Sequence, residues 1–176
     1  MAHERIDILT EVAVAATPPH GALSMLFKVD TDDDHSWPPA DWEALWVRPE
    51  SDGQAYRILS IPLLVFGIAV DDLVLGTSGP EGNVVFDRKV ESGGHSTIRI
   101  FIDHQAEEDI LSFRIAAIID EVEAAGCVVR RTGWDLIVAV DIPTLDAYEH
   151  VYDDCLIPRG EAGELTVESA CMTFDT

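Results

Sequence analysis

Apolar and polar residues alternate over short stretches through the first half of the chain. Gly21 to Asp30 sets Leu23, Met25, Phe27 and Val29 on one side and Ala22, Ser24, Leu26 and Lys28 on the other, the period of a strand. Ala44 to Pro49, Gln54 to Leu63, Ile68 to Leu75 and Asn83 to Ser92 read as further short strands. They are separated by Ser51-Asp52-Gly53, by the Phe66-Gly67 break and by Ser78-Gly79-Pro80-Glu81-Gly82. Five short strands at this spacing predict a small, strongly bent antiparallel sheet or partial barrel. Residues 1–20 end in Ala15-Ala16-Thr17-Pro18-Pro19, which stops regular structure and predicts an N-terminal arm.

After Gly93-Gly94 the pattern changes. Thr97 to Asp103 alternates again, with Ile98, Ile100 and Ile102 on one face and Thr97, Arg99, Phe101 and Asp103 on the other. Glu107 to Ala125 repeats Leu111, Ile115, Ile118, Ile119 and Val122 at three and four residue steps and is followed by Gly126, the signature of an amphipathic helix. Val128 to Arg131 and Trp134 to Ile142 form a hairpin around Thr132-Gly133. Pro143 and Thr144 open a second helix to about Asp154, and Glu164 to Met172 is a closing strand after the turn Pro158-Arg159-Gly160. Strand, helix, strand, strand, helix, strand is the order of a ferredoxin-like βαββαβ plait. The expected class is therefore α+β, with an arm over 1–20, a β-rich subdomain over 21–94 and a ferredoxin-like subdomain over 95–176.

Composition narrows the partners more than the fold. Against 33 Asp and Glu stand 11 basic residues, of which only Lys28 and Lys89 are lysines, for a net charge of -22, while 47% of the chain is hydrophobic. Apolar content at that level fills a core, which excludes disorder by composition. Phosphate backbones need a basic surface, which excludes nucleic acid as a partner. No apolar run reaches the roughly 18 to 20 residues of a bilayer span, and Met1 to Thr10 lacks a signal-peptide pattern, so a soluble, cytoplasmic protein without membrane partners is expected. Cys127, Cys155 and Cys171 are odd in number and widely spaced, as buried free thiols are. The acidity itself fits surface solvation, adaptation to high salt, or a face for a basic partner.

Chemistry-bearing residues concentrate at Val90-Glu91-Ser92-Gly93-Gly94-His95-Ser96-Thr97-Ile98-Arg99, where one half of the chain passes into the other. His95 can serve as a general base, Ser96 as a nucleophile and Arg99 as an anion clamp, with Thr97 and Trp134 as further ligand contacts. A structural reading stands beside it: the glycines make a bulge, His95 and Ser96 bond nearby backbone, and Arg99 pairs with a carboxylate. No metal or cofactor is expected: His95, His104, His150 and the cysteines are scattered, and no metal-binding spacing occurs. Asp30, Asp32, Asp33, Asp34 and His35 read as a solvated acidic loop, and Gly76 to Gly82 as a hairpin turn rather than a phosphate loop. Arg130 and Arg131 leave room for a lowered thiol pKa at Cys127. Trp37, Trp42 and Trp46 cluster in ten residues, with core or loop-pinning roles expected for at least two of them and an interface role open to Trp37.

Four ordered segments resemble the bacterial family DUF4265: Trp42-Glu43-Ala44-Leu45-Trp46-Val47, Tyr56-Arg57-Ile58-Leu59-Ser60-Ile61-Pro62, Gly67-Ile68-Ala69-Val70-Asp71-Asp72-Leu73-Val74, and Gly93-Gly94-His95-Ser96-Thr97-Ile98-Arg99. The resemblance runs from about Gly21 to Met172 and implies no mechanism, the family being a domain of unknown function. It implies Gly-Asp where this chain has Asp71-Asp72.

The first functional expectation is a small acidic binding protein, immunity- or inhibitor-like, that holds a basic protein such as a nuclease-type toxin. Asp32, Asp33, Asp34 and Trp37 would line its partner face. The alternative is an enzyme or small-molecule-binding protein of a biosynthetic pathway, with its site at the subdomain junction near His95 and Arg99. A third is a regulatory module of a larger enzyme, by analogy of fold alone.

Overall fold

The computed structural model describes residues 18–30, 38, 40–51, 53–79, 83–102, 108–131 and 137–174, and the chain separates into two units between Gly93 and Gly94. The expected arm up to residue 17 lies outside the described residues, as do Asp32, Asp33, Asp34, Trp37 and Trp134. No helix among the described residues is long and apolar enough to cross a membrane.

In the first unit, alternation yields five strands: β1 (Leu23–Lys28), β2 (Trp42–Pro49), β3 (Ala55–Ile58), β4 (Leu73–Ser78) and β5 (Val84–Glu91). Each pairs antiparallel with the next, and the sheet closes completely. The expected bent or partial barrel is thus a closed one, and its seam is parallel, with Met25 opposite Val84 and Leu26 opposite Val85. Parity requires this, because five strands that reverse direction at every turn leave the first and fifth running the same way. Met25, Phe27, Leu45, Val47, Ile58 and Val74 are each no more than 1% exposed, and Phe27 stacks on Phe86 at 4.7 Å. Two register shifts between β4 and β5 supply the bending that a small barrel needs.

Three boundaries differ from the sequence pattern. The run expected at Gln54 to Leu63 shrinks to β3, the one expected at Ile68 to Leu75 begins only at Leu73 as β4, and residues 59–72 form a loop. Ile61, Leu63, Leu64, Val65, Ile68 and Ala69 are buried there without joining a ladder. Pro62 has no N–H to give a ladder, and the next three N–H groups bond a side chain instead. Conversely Gly76, Thr77 and Ser78, expected in a turn, belong to β4 and pair with Phe86, Val85 and Val84; the glycine is needed because a Cβ there would meet the Val84 and Met25 side chains at 2.6 and 2.7 Å.

The second unit holds β6 (Ser96–Ile102), α1 (Glu108–Ala124), β7 (Val128–Arg131) and β8 (Ile137–Ile142). After them come α2 (Leu145–Glu149), a π-helical segment (His150–Leu156), α3 (Ile157–Glu161) and β9 (Leu165–Cys171). Its sheet runs β7-β8-β6-β9 with every neighbouring pair antiparallel. Ile98, Ile100 and Ile102 face Ile115, Ile118 and Val122 of α1 and Val151, Cys155 and Leu156 of the second helix in one buried cluster, completed by Val138, Val140, Ile142 and Leu165. Thr144 caps α2, its hydroxyl accepting the Ala147 N–H. The second helix runs on to Glu161 rather than stopping near Asp154, and the expected turn Pro158-Arg159-Gly160 is helical. Pro158 falls in the first turn of α3, just past the π-helical segment, where the ring is tolerated.

One ion pair ties the two helices together. Both guanidinium Nη atoms of Arg159 donate to Glu121 at 2.7 Å. The Arg159 hydrogen bonds, and after them one from Cys155, bring the Glu121 carboxyl from 4.5 down to about 2. A folded-state value below the unfolded one stabilises the protein above about pH 4.5 and is lost as pH falls through about 2. Urea unfolding across that window should show a component of roughly 0.5 to 1 kcal/mol, discounted because half of Glu121 is exposed, that disappears in Glu121→Gln. An identical acid profile for the variant would remove the pair from the stability of the fold.

Candidate functional site

His95 stands just ahead of β6, and its Nδ1 lies 2.9 and 3.0 Å from the two carboxylate oxygens of Asp141 on β8. Asp141 is 4% exposed and sits directly across the ladder from Thr97, so the carboxylate is fixed by the sheet and in turn fixes the ring. A neutral imidazole so held donates from Nδ1 and keeps its lone pair on Nε2, the arrangement of an oriented proton acceptor. The side chain of His95 is 20% exposed. Asp141 was not foreseen from the sequence, because 46 residues separate the partners and an Asp inside an apolar strand carries no local signal.

Ser96 is differently placed. It is fully buried, and its Oγ accepts the N–H of Thr173 at 2.9 Å, while the Thr173 hydroxyl donates to the carbonyl of His95 at 2.7 Å. Ser96 and His95 are consequently not joined as nucleophile and base; one is tied to the end of β9 and the other to β8. Thr97 is fully buried, and its Oγ1 has no hydrogen-bond partner among the described residues. Arg99 is 4% exposed, and its Nε lies 2.9 Å from Glu168, the residue opposite it on β9, which is the structural ion pair weighed for it. His95, Thr97, Arg99 and Asp141 therefore share one sheet unit, whereas Trp134 lies outside the described residues.

The thiols offer no alternative nucleophile. All three cysteines are free and buried. Burial, and secondarily the Asp141 charge, pushes the Cys127 thiol up to about 11, opposite to the lowering that Arg130 and Arg131 left open. Burial and a hydrogen bond with Glu121 push Cys155 up to about 12.

A second constellation, overlooked as a group by the sequence pattern, holds loop 59–72 against the barrel. The Glu43 carboxylate, 3% exposed, accepts the N–H groups of Leu63, Leu64 and Val65 at 2.8 to 3.2 Å. Ser60 Oγ accepts the Trp46 N–H, and the Arg57 guanidinium donates to the Asp71 carbonyl at 2.8 Å. Asp72, wholly buried, accepts from Ala69 and from Gly93 and pairs with Lys89 at 2.7 Å. Asp71 has a φ of 62°, where glycine is the usual occupant and Asp among the tolerated ones. Trp42 packs outside the barrel with Leu26, Ala44 and Val85. Every segment quoted for the family resemblance supplies a part of this lock, so those segments specify a shape before they specify any chemistry.

The helical layer of the second unit is the third feature. Asp120, Glu123, Asp146, Glu149, Asp153 and Glu161 are exposed there without a basic partner among the described residues. Its basic side chains are already engaged: Arg159 with Glu121, Arg114 with Glu164 at 3.9 Å, and His150 with Asp154 at 3.1 Å.

The model of the family described as "Domain of unknown function (DUF4265)" matches residues 43–167. A solved structure described as a novel crystal structure of a hypothetical protein from Neisseria gonorrhoeae is similar in fold. Its TM-score is 0.67 at 22% identity, over 89% of this chain and 99% of that one. No curated protein matches the chain.

Proposed function

The chain belongs to the DUF4265 family, whose description names no activity, and from its own chemistry we propose that it is a small acidic cytoplasmic binding protein, immunity- or inhibitor-like, that holds a basic protein partner. The observation that carries this reading is the disposition of charge on the helical layer. Its cations are paired internally, so the carboxylates of Asp120, Glu123, Asp146, Glu149, Asp153 and Glu161 keep their full field toward solvent. A surface of one sign accelerates capture of an oppositely charged protein and rejects wrong partners more than it adds affinity. The order of elements in residues 94–176 and the strand order β7-β8-β6-β9 support a ferredoxin-like plait as the scaffold that presents this layer.

A second reading, a small-molecule-binding protein or enzyme, has the His95 and Asp141 pair in its favour. The two part experimentally. A pull-down from native lysate at about 10 mM and about 150 mM salt should retain a basic protein more strongly at the lower value, where the Debye length is about 30 Å rather than 8 Å. Reversing Asp120, Asp146 and Asp153 of the helical layer to lysine, together with Asp32, Asp33 and Asp34, should weaken that capture and flatten its salt dependence, with His95→Ala and Arg99→Ala leaving it intact. Loss in the His95 and Arg99 variants alone, with the aspartate set unaffected, would instead select the small-molecule reading.

A further inference from the structure

Helix α1 packs Leu111, Ile115, Ile118 and Val122 into the core of the second unit. At about 100° of rotation per residue, Phe113, Ala117, Asp120 and Ala124 fall on the opposite side of the same helix. Phe113 is 75% exposed, the most of any large apolar residue among those described. Ala116 and Ala124 are exposed too, so no taller apolar side chain shields the ring on that side. Asp120 follows Phe113 by seven residues, about 10 Å along the axis, and Glu123 lies one turn further; both are exposed and without a basic partner among the described residues. The arginines that reach α1 are engaged elsewhere, Arg114 with Glu164 and Arg159 with Glu121. An aromatic ring set in water beside two open carboxylates adds nothing to the core, and it has the composition of an interface anchor.

The surroundings of Phe113 select what can cover it. A second copy of this chain would set Asp120 and Glu123 against their own images, and a nucleic acid or an anionic membrane would likewise bring like charge to a protein of net charge -22. A wholly apolar segment would take Asp120 out of water with nothing of opposite sign to meet it. A segment that carries an apolar side chain and a cation about 10 Å apart satisfies both ends, the first on the ring and the second on Asp120 and Glu123, with the aliphatic stem of the cation lying along the alanines. On a second helix, two such positions are again seven residues apart, so helices running side by side stay in register along the contact. Alanine at 116, 117 and 124 lets the axes approach to about 8 Å. We propose that the outer side of α1, anchored by Phe113, is where a basic amphipathic helix of the partner docks. The proposal rests on the reading above that the partner is a basic protein, and it adds the surface, the anchoring residue and the helical form of the docking segment.

The test uses the full-length chain labelled with 15N and three synthetic peptides of about 18 residues, long enough to hold a helix. The first places leucines at helical spacing among arginines and alanines, the second has the same composition in an order with no apolar side, and the third is the first with glutamate in place of arginine. At about 10 mM salt, where exposed charges act over about 30 Å, the first should shift amides of residues 112–124 and bind at least about fivefold more tightly than the second. The glutamate peptide should not bind. Phe113→Ala should weaken the first peptide about fivefold, to the level of the second, and leave the melting temperature within about 2 °C of the parent, as befits an exposed position. Asp120→Asn with Glu123→Gln should weaken both cationic peptides and flatten their salt dependence. Equal affinity for the two cationic peptides, unchanged affinity in Phe113→Ala, a larger drop in its melting temperature, or shifts confined to other residues overturns the docking surface on α1 and leaves the acidic-binder reading standing. Failure of both cationic peptides to bind at the lower salt overturns the two together.

Discussion

Gly93→Ala is expected to destabilise the protein by about 3 to 5 kcal/mol, although it adds a single methyl group. A Cβ on Gly93 would lie 2.2 Å from the carbonyl carbon of Asp71 and 2.4 Å from its oxygen. Those atoms belong to backbone rather than to the end of a flexible side chain. They are held in place by Arg57, which donates to the same carbonyl, and by Asp72, which accepts the Gly93 N–H at 2.9 Å. Neither side of the contact can yield without breaking the lock around Asp72. Gly94 is the internal control: it has a φ of 86° with nothing within 4 Å of a built Cβ, so Gly94→Ala should cost only the left-handed conformation, about 1 to 2 kcal/mol. Urea denaturation of the two variants measures the difference, and equal losses would mean that the approach of Gly93 to Asp71 does not constrain the fold.

Glu43→Ala should cost a similar amount, about 3 to 5 kcal/mol, by a different route. Here nothing clashes. Instead three consecutive buried N–H groups, those of Leu63, Leu64 and Val65, lose their acceptor together. Glu43→Gln is the informative companion, because an amide of the same shape retains one acceptor oxygen and turns an NH2 group toward the remaining donors, for a loss of about 1 to 3 kcal/mol. Amide exchange should accelerate at Leu63 to Val65 in Glu43→Ala before it does in β2 or β3. Unchanged exchange at those three amides would detach Glu43 from the order of the loop.

These two sites also mark where local pattern stops being informative. Periodicity sufficed for β1, β5, β6, α1 and β9, because Met25 with Phe27, Ile98 with Ile100, and Ile115 with Ile118 each bury against elements whose own alternation is visible. It failed over residues 59–72, where apolar composition suggests strand while the N–H groups answer to a carboxylate 20 to 22 residues upstream. The end of the second helix was misplaced for a related reason, since proline and glycine at 158 and 160 signal a turn only if the preceding helix keeps α register, and a π-helical segment intervenes. Of the candidate site, His95 and Arg99 were legible as polar residues after a glycine pair. Their partners Asp141 and Glu168 were not, because strand pairing over long sequence separations is decided by the whole sheet.

The parallel seam between β1 and β5 has a consequence for how the chain must be made. From β2 to β5 consecutive strands of the chain pair with one another, but β1 meets its second neighbour only about sixty residues downstream. During synthesis β1 and β2 can already be paired while the far edge of β1 still waits for residues that have not left the ribosome. That edge, with Met25 and Phe27 beside it, is for this interval an open template for any other extended chain. The barrel is therefore most vulnerable to aggregation in the interval between synthesis of β2 and synthesis of β5, and a rearranged chain that begins at β2 and carries β1 directly after β5, ahead of β6, would bring the seam together early.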